Sequence, residues 1–168
     1  MVRITSDAEG GVTLGLLEIK RGRQAEKEGV YCLLTMMLGY KPLLEHNEDG
    51  KPIIKDYHIS ISHTIGYVAV IISREYEVGV DIEYVSDRVN RISSRFLRDE
   101  EDFTDTTDKL IAWCAKETMY KLYSSEHLAL MDIKVDPYLR LATNLKRDKT
   151  IEFKCECNSK YILTYTWC

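Results

Sequence analysis

The sequence predicts an α+β domain of two related halves with a cleft between them. Three observations point there. Two stretches of helical periodicity each lie between runs that alternate like β-strands. The joints between neighbouring strand runs, such as Thr64 to Gly66 and Asn158-Ser159, suit antiparallel hairpins. The order strand, helix, paired strands occurs in each half, a weak internal duplication of residues 1–78 by residues 79–168. No Gly-, Pro- or Ser-rich linker separates the halves, so a shared core is expected.

The elements follow in order. "VTLGLLEI" (Val12 to Ile19) reads as a strand, and "RQAEKEGVYCLLTMMLGY" as a helix that Gly39 ends. "LLEHNEDGKPII" is a loop with a turn at Asp49-Gly50. "YHISISH", "YVAVIIS" and "VGVDIEY" are three short strands, with hairpin joints at Thr64–Gly66 and Arg74–Glu77. Residues 86–105 are polar with helical patches, and "DKLIAWCAKETMYKLY" (Asp108 to Tyr123) is an amphipathic helix. A short strand falls near "MDIKVDPY". "TIEFKCEC" and "KYILTYTWC" close the chain as two strands.

A chain of 168 residues fits one compact unit. It is 45% hydrophobic and 30% charged, within the globular range and outside the disordered one. No apolar run approaches the roughly 20 residues of a membrane helix, and the N-terminal "MVRITSDAEGG" has no apolar signal core. A cytoplasmic protein is expected. The net charge of −4, from 27 acids and 23 bases, argues against generic nucleic-acid binding. The 5 cysteines form no CxxC pair. In "IEFKCEC" the alternation puts Ile151, Phe153, Cys155 and Cys157 on one face, so these cysteines read as reduced core residues rather than metal ligands.

"VGVDIEYV" poses the chemical question. On a strand, Asp81 and Glu83 point one way and Val80 and Ile82 the other. Two carboxylates about 4 Å apart repel by about 4 kcal/mol at an effective dielectric of 20. In a cleft that cost is relieved by protonation or by a cation; a hard, oxygen-ligated cation such as Mg²⁺ is the simplest candidate. The alternative is a solvated edge strand with two scattered acids. A second element bears on the choice: Trp113, Glu117 and Lys121, at i, i+4 and i+8, share one face of the later helix, with Lys116 beside them. Taken alone, Glu117 and Lys121 also read as an ordinary helix salt bridge.

"VGVDIE" followed by "WCAKETMYK" resembles the 4′-phosphopantetheinyl transferases of the two-subdomain, surfactin-type group. "GKP" at Gly50 to Pro52 and "ISISHT" at Ile59 to Thr64 stand upstream in that family's order. The resemblance implies that family's fold and Mg²⁺-dependent transfer of 4′-phosphopantetheine from coenzyme A to a serine of an apo acyl or peptidyl carrier protein. It implies Asp81, Glu83 and Glu117 as metal ligands, Glu117 also as the base for the serine proton, and Lys121, assisted by Lys116, as the charge on the diphosphate. It implies Gly50, Lys51 and Pro52 at the adenine, and Ser62 and His63 at coenzyme A phosphates. Tyr31 stands where the family often carries a basic residue for the 3′-phosphate; Arg21, Arg23 or Lys27 are the substitutes to hand. The spacer from Asp81 to Trp113 is shorter than usual in the group.

Arg88, Arg91, Arg95 and Arg98 recur at i, i+3, i+7 and i+10. If helical, they form a basic stripe to dock an acidic carrier protein by electrostatic steering; the competing reading is a solvated face paired with Asp87, Glu100 and Glu101. Two halves in one chain supply the cleft internally, so a monomer is expected. Two other functions stand beside transfer: a coenzyme A-binding member with weak or lost activity, and a hydrolase of nucleotide diphosphates.

Overall fold

A computed structural model describes residues 1–168. The chain is α+β, with antiparallel sheets and two principal helices. Strand β1 (Val2–Asp7) and β2 (Val12–Glu18) form a hairpin over a 3-10 turn at Ala8–Gly10. Helix α1 (Arg23–Leu38) follows. It ends as expected at Gly39, whose φ of 79° needs no Cβ and whose N–H closes on Thr35 O at 2.9 Å. A two-residue ribbon, β3 (Glu45–His46) and β4 (Pro52–Ile53), brackets the Asp49-Gly50 turn. Asn47 Oδ1 holds that turn by accepting from the N–H groups of Asp49 and Lys51. Strands β5 (His58–Thr64) and β6 (Tyr67–Ser73) are a hairpin and complete a sheet of order β1-β2-β6-β5.

Strand β7 (Val78–Tyr84) departs from the expected hairpin with β6. It pairs instead with β12 (Tyr161–Trp167), Asp81 opposite Thr164, in a second sheet of order β7-β12-β11, with β11 at Lys154–Cys157. The Arg74–Glu77 joint is therefore a crossing between sheets. Packing explains it: Val78, Val80 and Ile82 join Tyr161 and Leu163 against Val12, Leu14, Leu16, Tyr67 and Ile71, so the two sheets share one apolar layer. Strand β6 is buried along its whole length, since Val68, Val70 and Ile72 pack under Leu33 and Leu34 of α1. That is why it reads as an unbroken apolar run.

Helix α2 (Arg88–Ile92) and a 3-10 turn (Ser93–Arg95) lead to α3 (Thr106–Leu122). Asp105 caps α3, its Oδ1 accepting from Thr107 N at 2.7 Å and Asp108 N at 3.3 Å, so the helix starts two residues before the expected point. Helix α3 lies on the outer face of the second sheet and on a third, β8 (Ile133–Asp136), β9 (Leu141–Asn144) and β10 (Lys149–Glu152), order β10-β9-β8.

The single strand expected over 150–157 is two strands in two sheets. The break is Phe153, which is 1% exposed under α3 and gives its N–H to Arg140 O at 2.9 Å, outside either ladder. Ile151, Phe153 and Cys155 still face one core, but Cys155 is only half-buried and Cys157 is exposed; the fully buried cysteine is Cys114.

Between the two large sheets, β5 and β7 run side by side and parallel, but hydroxyls take the place of a backbone ladder. The N–H groups of Val80, Ile82 and Tyr84 donate to Ser60 Oγ (3.2 Å), Ser62 Oγ (3.2 Å) and Thr64 Oγ1 (3.1 Å). The alternating hydroxyls of "HISISHT" thus satisfy every second amide of the neighbouring strand.

Candidate active site

The outer face of β7 meets α3 at close range. A Cβ on Gly79 would stand well inside contact distance of Thr118 O, and the Thr118 hydroxyl pairs with Thr164 Oγ1 on β12 at 2.6 Å. This close approach brings Asp81 and Glu83 to the Trp113–Glu117–Lys121 face of the helix.

Asp81 is 4% exposed. Its Oδ1 accepts from Lys121 Nζ at 2.7 Å and from Ser62 Oγ at 2.8 Å; its Oδ2 is buried with no partner. Lys121 also donates to Val80 O at 3.1 Å. Glu83 Oε1 accepts from Trp113 Nε1 at 2.8 Å. Burial, then the Asp81 charge, raises the pKa of Glu83. The same two causes, in the same order, raise Glu117 from 4.5 to about 7, against the pull of Lys121. The three acids thus feel one another's charge, countered by Lys121 and, at Glu83, also by Arg88.

The donor set is oxygen only, with one orphaned carboxylate oxygen, and this chemistry suits a hard cation such as Mg²⁺. In this arrangement no three acidic, histidine or cysteine side chains converge to ligand distance. Lys121 and Ser62 hold Asp81 Oδ1, and Trp113 holds Glu83.

Two linked cavities lead away from Lys121. One of about 200 Å³ is walled by Gly50, Lys51, Pro52, Ser60, Tyr120 and Lys121. It shares Gly50, Pro52 and Ile61 with a larger one, about 830 Å³, between α1, the β3–β4 ribbon and β5. Arg23, Lys27, His46 and His63 bring basic groups to that cavity, and Tyr31 lines it. His63 lies 3.4 Å from Glu26 and faces α1, opposite to Ser62, because adjacent strand residues alternate.

Several sequence expectations change here. The Ser62 hydroxyl is buried and committed to Asp81 and the Ile82 amide, so it supports a carboxylate rather than facing a phosphate. Arg21 is exposed and lines neither cavity. Lys116 turns away from the acids into the core: fully buried, it donates to Glu101 Oε2 (2.6 Å), Phe96 O (2.7 Å) and Leu130 O (3.3 Å). His46 carried no signal in the sequence; only the ribbon that lifts it over α1 makes it a wall of the cavity.

The arginines do not form one helical stripe. Helix α2 is five residues long, and the chain turns in at Phe96, whose carbonyl Lys116 holds. Arg88 and Arg95 flank a third cavity of about 330 Å³, floored by Val89, Ile92, Leu110, Trp113 and Leu130 and bordered by Glu83. Arg91 is exposed beyond it, and Arg98 is engaged with Glu100 (2.6 Å) and Met131 O (2.5 Å).

No curated protein matches the chain. A family model described as the 4′-phosphopantetheinyl transferase superfamily matches residues 77–166, more than half of the sequence. That span holds Asp81, Glu83, the arginine segment, Glu117 and Lys121; the cavity residues from Arg23 to His63 precede it.

Proposed function

The chain belongs to the 4′-phosphopantetheinyl transferase superfamily, and from that premise we propose that it transfers 4′-phosphopantetheine from coenzyme A, with Mg²⁺, to a serine of an apo acyl or peptidyl carrier protein, releasing 3′,5′-ADP. The observation that carries this reading is the orphaned, buried Asp81 Oδ2 among three mutually repelling carboxylates, at the end of linked cavities with basic walls.

Asp81, Glu83 and Glu117 would hold the Mg²⁺, which draws charge from the diphosphate when bound. The remaining work falls to this chain's own groups. The Arg23, Lys27, His46 and His63 walls take the adenosine and its 3′-phosphate, with Gly50–Pro52 as the neck toward Lys121. Lys121 exchanges Asp81 for diphosphate oxygens and neutralises the charge that builds on them. Glu117 accepts the serine proton, directly or through water. The serine oxygen bonds to the pantetheine-side phosphorus as the bridging P–O bond breaks, and 3′,5′-ADP leaves with that electron pair.

The cavity beside Glu83 would seat the carrier: Arg88 and Arg95 meet acidic residues around its serine, and the apolar floor takes a neighbouring side chain. The duplicated architecture has support in the sheet orders, since β2-β6-β5 with α1 corresponds strand for strand to β7-β12-β11 with α3. The same reading makes the protein a monomer in our proposal, since two halves of one chain would supply the cleft. No helix is long and apolar enough to cross a membrane.

The test is incubation with coenzyme A, Mg²⁺ and a panel of apo carriers, followed by mass spectrometry. A carrier heavier by one phosphopantetheine is the expected result. Coenzyme A binding without product would favour a binding protein, a reading motivated by Tyr31, which lines the larger cavity in place of the basic residue expected for the 3′-phosphate.

A further inference from the structure

Lys116 and Glu101 are a fully buried ion pair, at 0% and 1% side-chain exposure. Every bonding group of the pair is used. Lys116 fills its three donors with Glu101, Phe96 O and Leu130 O. Glu101 accepts in addition from Arg98 N (2.9 Å) and Val135 N (2.6 Å). Removing two charges from water costs as much as such a pair returns, and well-packed apolar residues often serve stability equally well. Stability alone therefore does not account for it.

The pair ties together three segments: residues 96–101, residues 130–135 and helix α3. Two of these segments wall the 330 Å³ cavity beside Glu83, and the third continues directly from the run that forms its remaining wall. Arg88, Val89, Ile92 and Arg95 come from the run leading into Phe96, Leu130 from the second segment, and Leu110 and Trp113 from α3. A second link runs to the acids. Phe96, whose carbonyl Lys116 holds, packs edge-on against Trp113 at 5.1 Å between centroids, and Trp113 donates to Glu83.

We propose that Lys116 and Glu101 are positioning residues for the carrier-protein substrate: they fix the walls of the cavity beside Glu83 and, through Phe96 and Trp113, the direction of Glu83 itself. The inference rests on reading that cavity as the carrier's seat. It assigns to Lys116 no contact with coenzyme A.

Two variants test it. Glu101→Gln keeps an acceptor for Val135 N but removes the charge partner; Lys116→Met with Glu101→Leu removes both charges at similar volume. If the double variant does not fold, Glu101→Gln alone decides. Expected are a KM for the carrier raised at least fivefold, a calorimetric Kd for coenzyme A within twofold of wild type, faster amide exchange over residues 93–103, and altered Trp113 emission in a Trp167→Phe background. An unchanged carrier KM despite faster exchange overturns the proposal, because the pair is then only structural. A coenzyme A Kd that rises more than the carrier KM overturns it too, returning Lys116 to the coenzyme. If the wild type modifies no carrier, the proposed function fails first and separately; unchanged exchange and emission in Glu101→Gln then refute the positioning link on their own.

Discussion

At the scale of single residues, the site is governed by charge that lacks enough counter-charge. Glu117 titrates near 7 because burial and Asp81 both oppose its ionisation. A carboxyl whose pKa is higher folded than unfolded stabilises the fold below its unfolded value and loses that contribution as pH rises through the folded one. Urea unfolding of wild type and Glu117→Gln should therefore diverge between about pH 4.5 and 7, wild type losing on the order of 2 kcal/mol relative to the variant after allowance for partial exposure. Parallel curves would mean that Glu117 is an ordinary surface acid. Ser62 makes a second case. Ser62→Ala strips a donor from Asp81 and an acceptor from the Ile82 amide, at a cost of about 1–3 kcal/mol. Metal affinity should fall about 10- to 100-fold, read by Mn²⁺ titration, while coenzyme A binding in metal-free buffer stays unchanged. A loss of metal-free binding would instead place the hydroxyl on a phosphate.

At the scale of elements, α3 and β7 act as one device whose spacing is set by Gly79. Gly79→Ala drives a methyl into Thr118 O and the Leu122 side chain and should cost about 2–3 kcal/mol, with transfer lost more steeply than stability as Glu117 and Asp81 separate. Native-like activity in a destabilised variant would show that the spacing does not matter to the chemistry. Both elements were legible beforehand: α3 by its 3.6-residue period, β7 by the opposition of Val80 and Ile82 to two acids. Other features were not. Strand β1 is an edge strand with mostly exposed side chains, so it shows no apolar face. The break at Phe153 preserves the alternation on both sides, so no local pattern marks it. The pairing of β7 with β12, far along the chain, is decided by which apolar faces meet, a tertiary choice that a short joint at Arg74–Glu77 does not encode. Lys116 sat in a run of recognised motif residues, and only a fold that brings Glu101 beneath α3 turns it inward.

At the scale of the whole molecule, an acidic protein presents its basic groups where acidic partners would arrive. Charge reversal of Arg88 and Arg95 together should lower kcat/KM for the carrier at least tenfold and flatten its dependence on ionic strength, with coenzyme A affinity unaffected. If the salt dependence is the same in wild type and variant, the carrier docks elsewhere. The junction of β5 with β7 has a different kind of consequence. A backbone ladder is indifferent to the side chains it carries, whereas a junction closed by Ser60, Ser62 and Thr64 is not. The neighbouring strand's amides dictate a small hydroxyl at each of three alternate positions, whatever the protein catalyses. A relative that had lost every catalytic group would still be held to "S-x-S-x-T" there, so that part of the signature reports architecture, and the acids opposite it report chemistry.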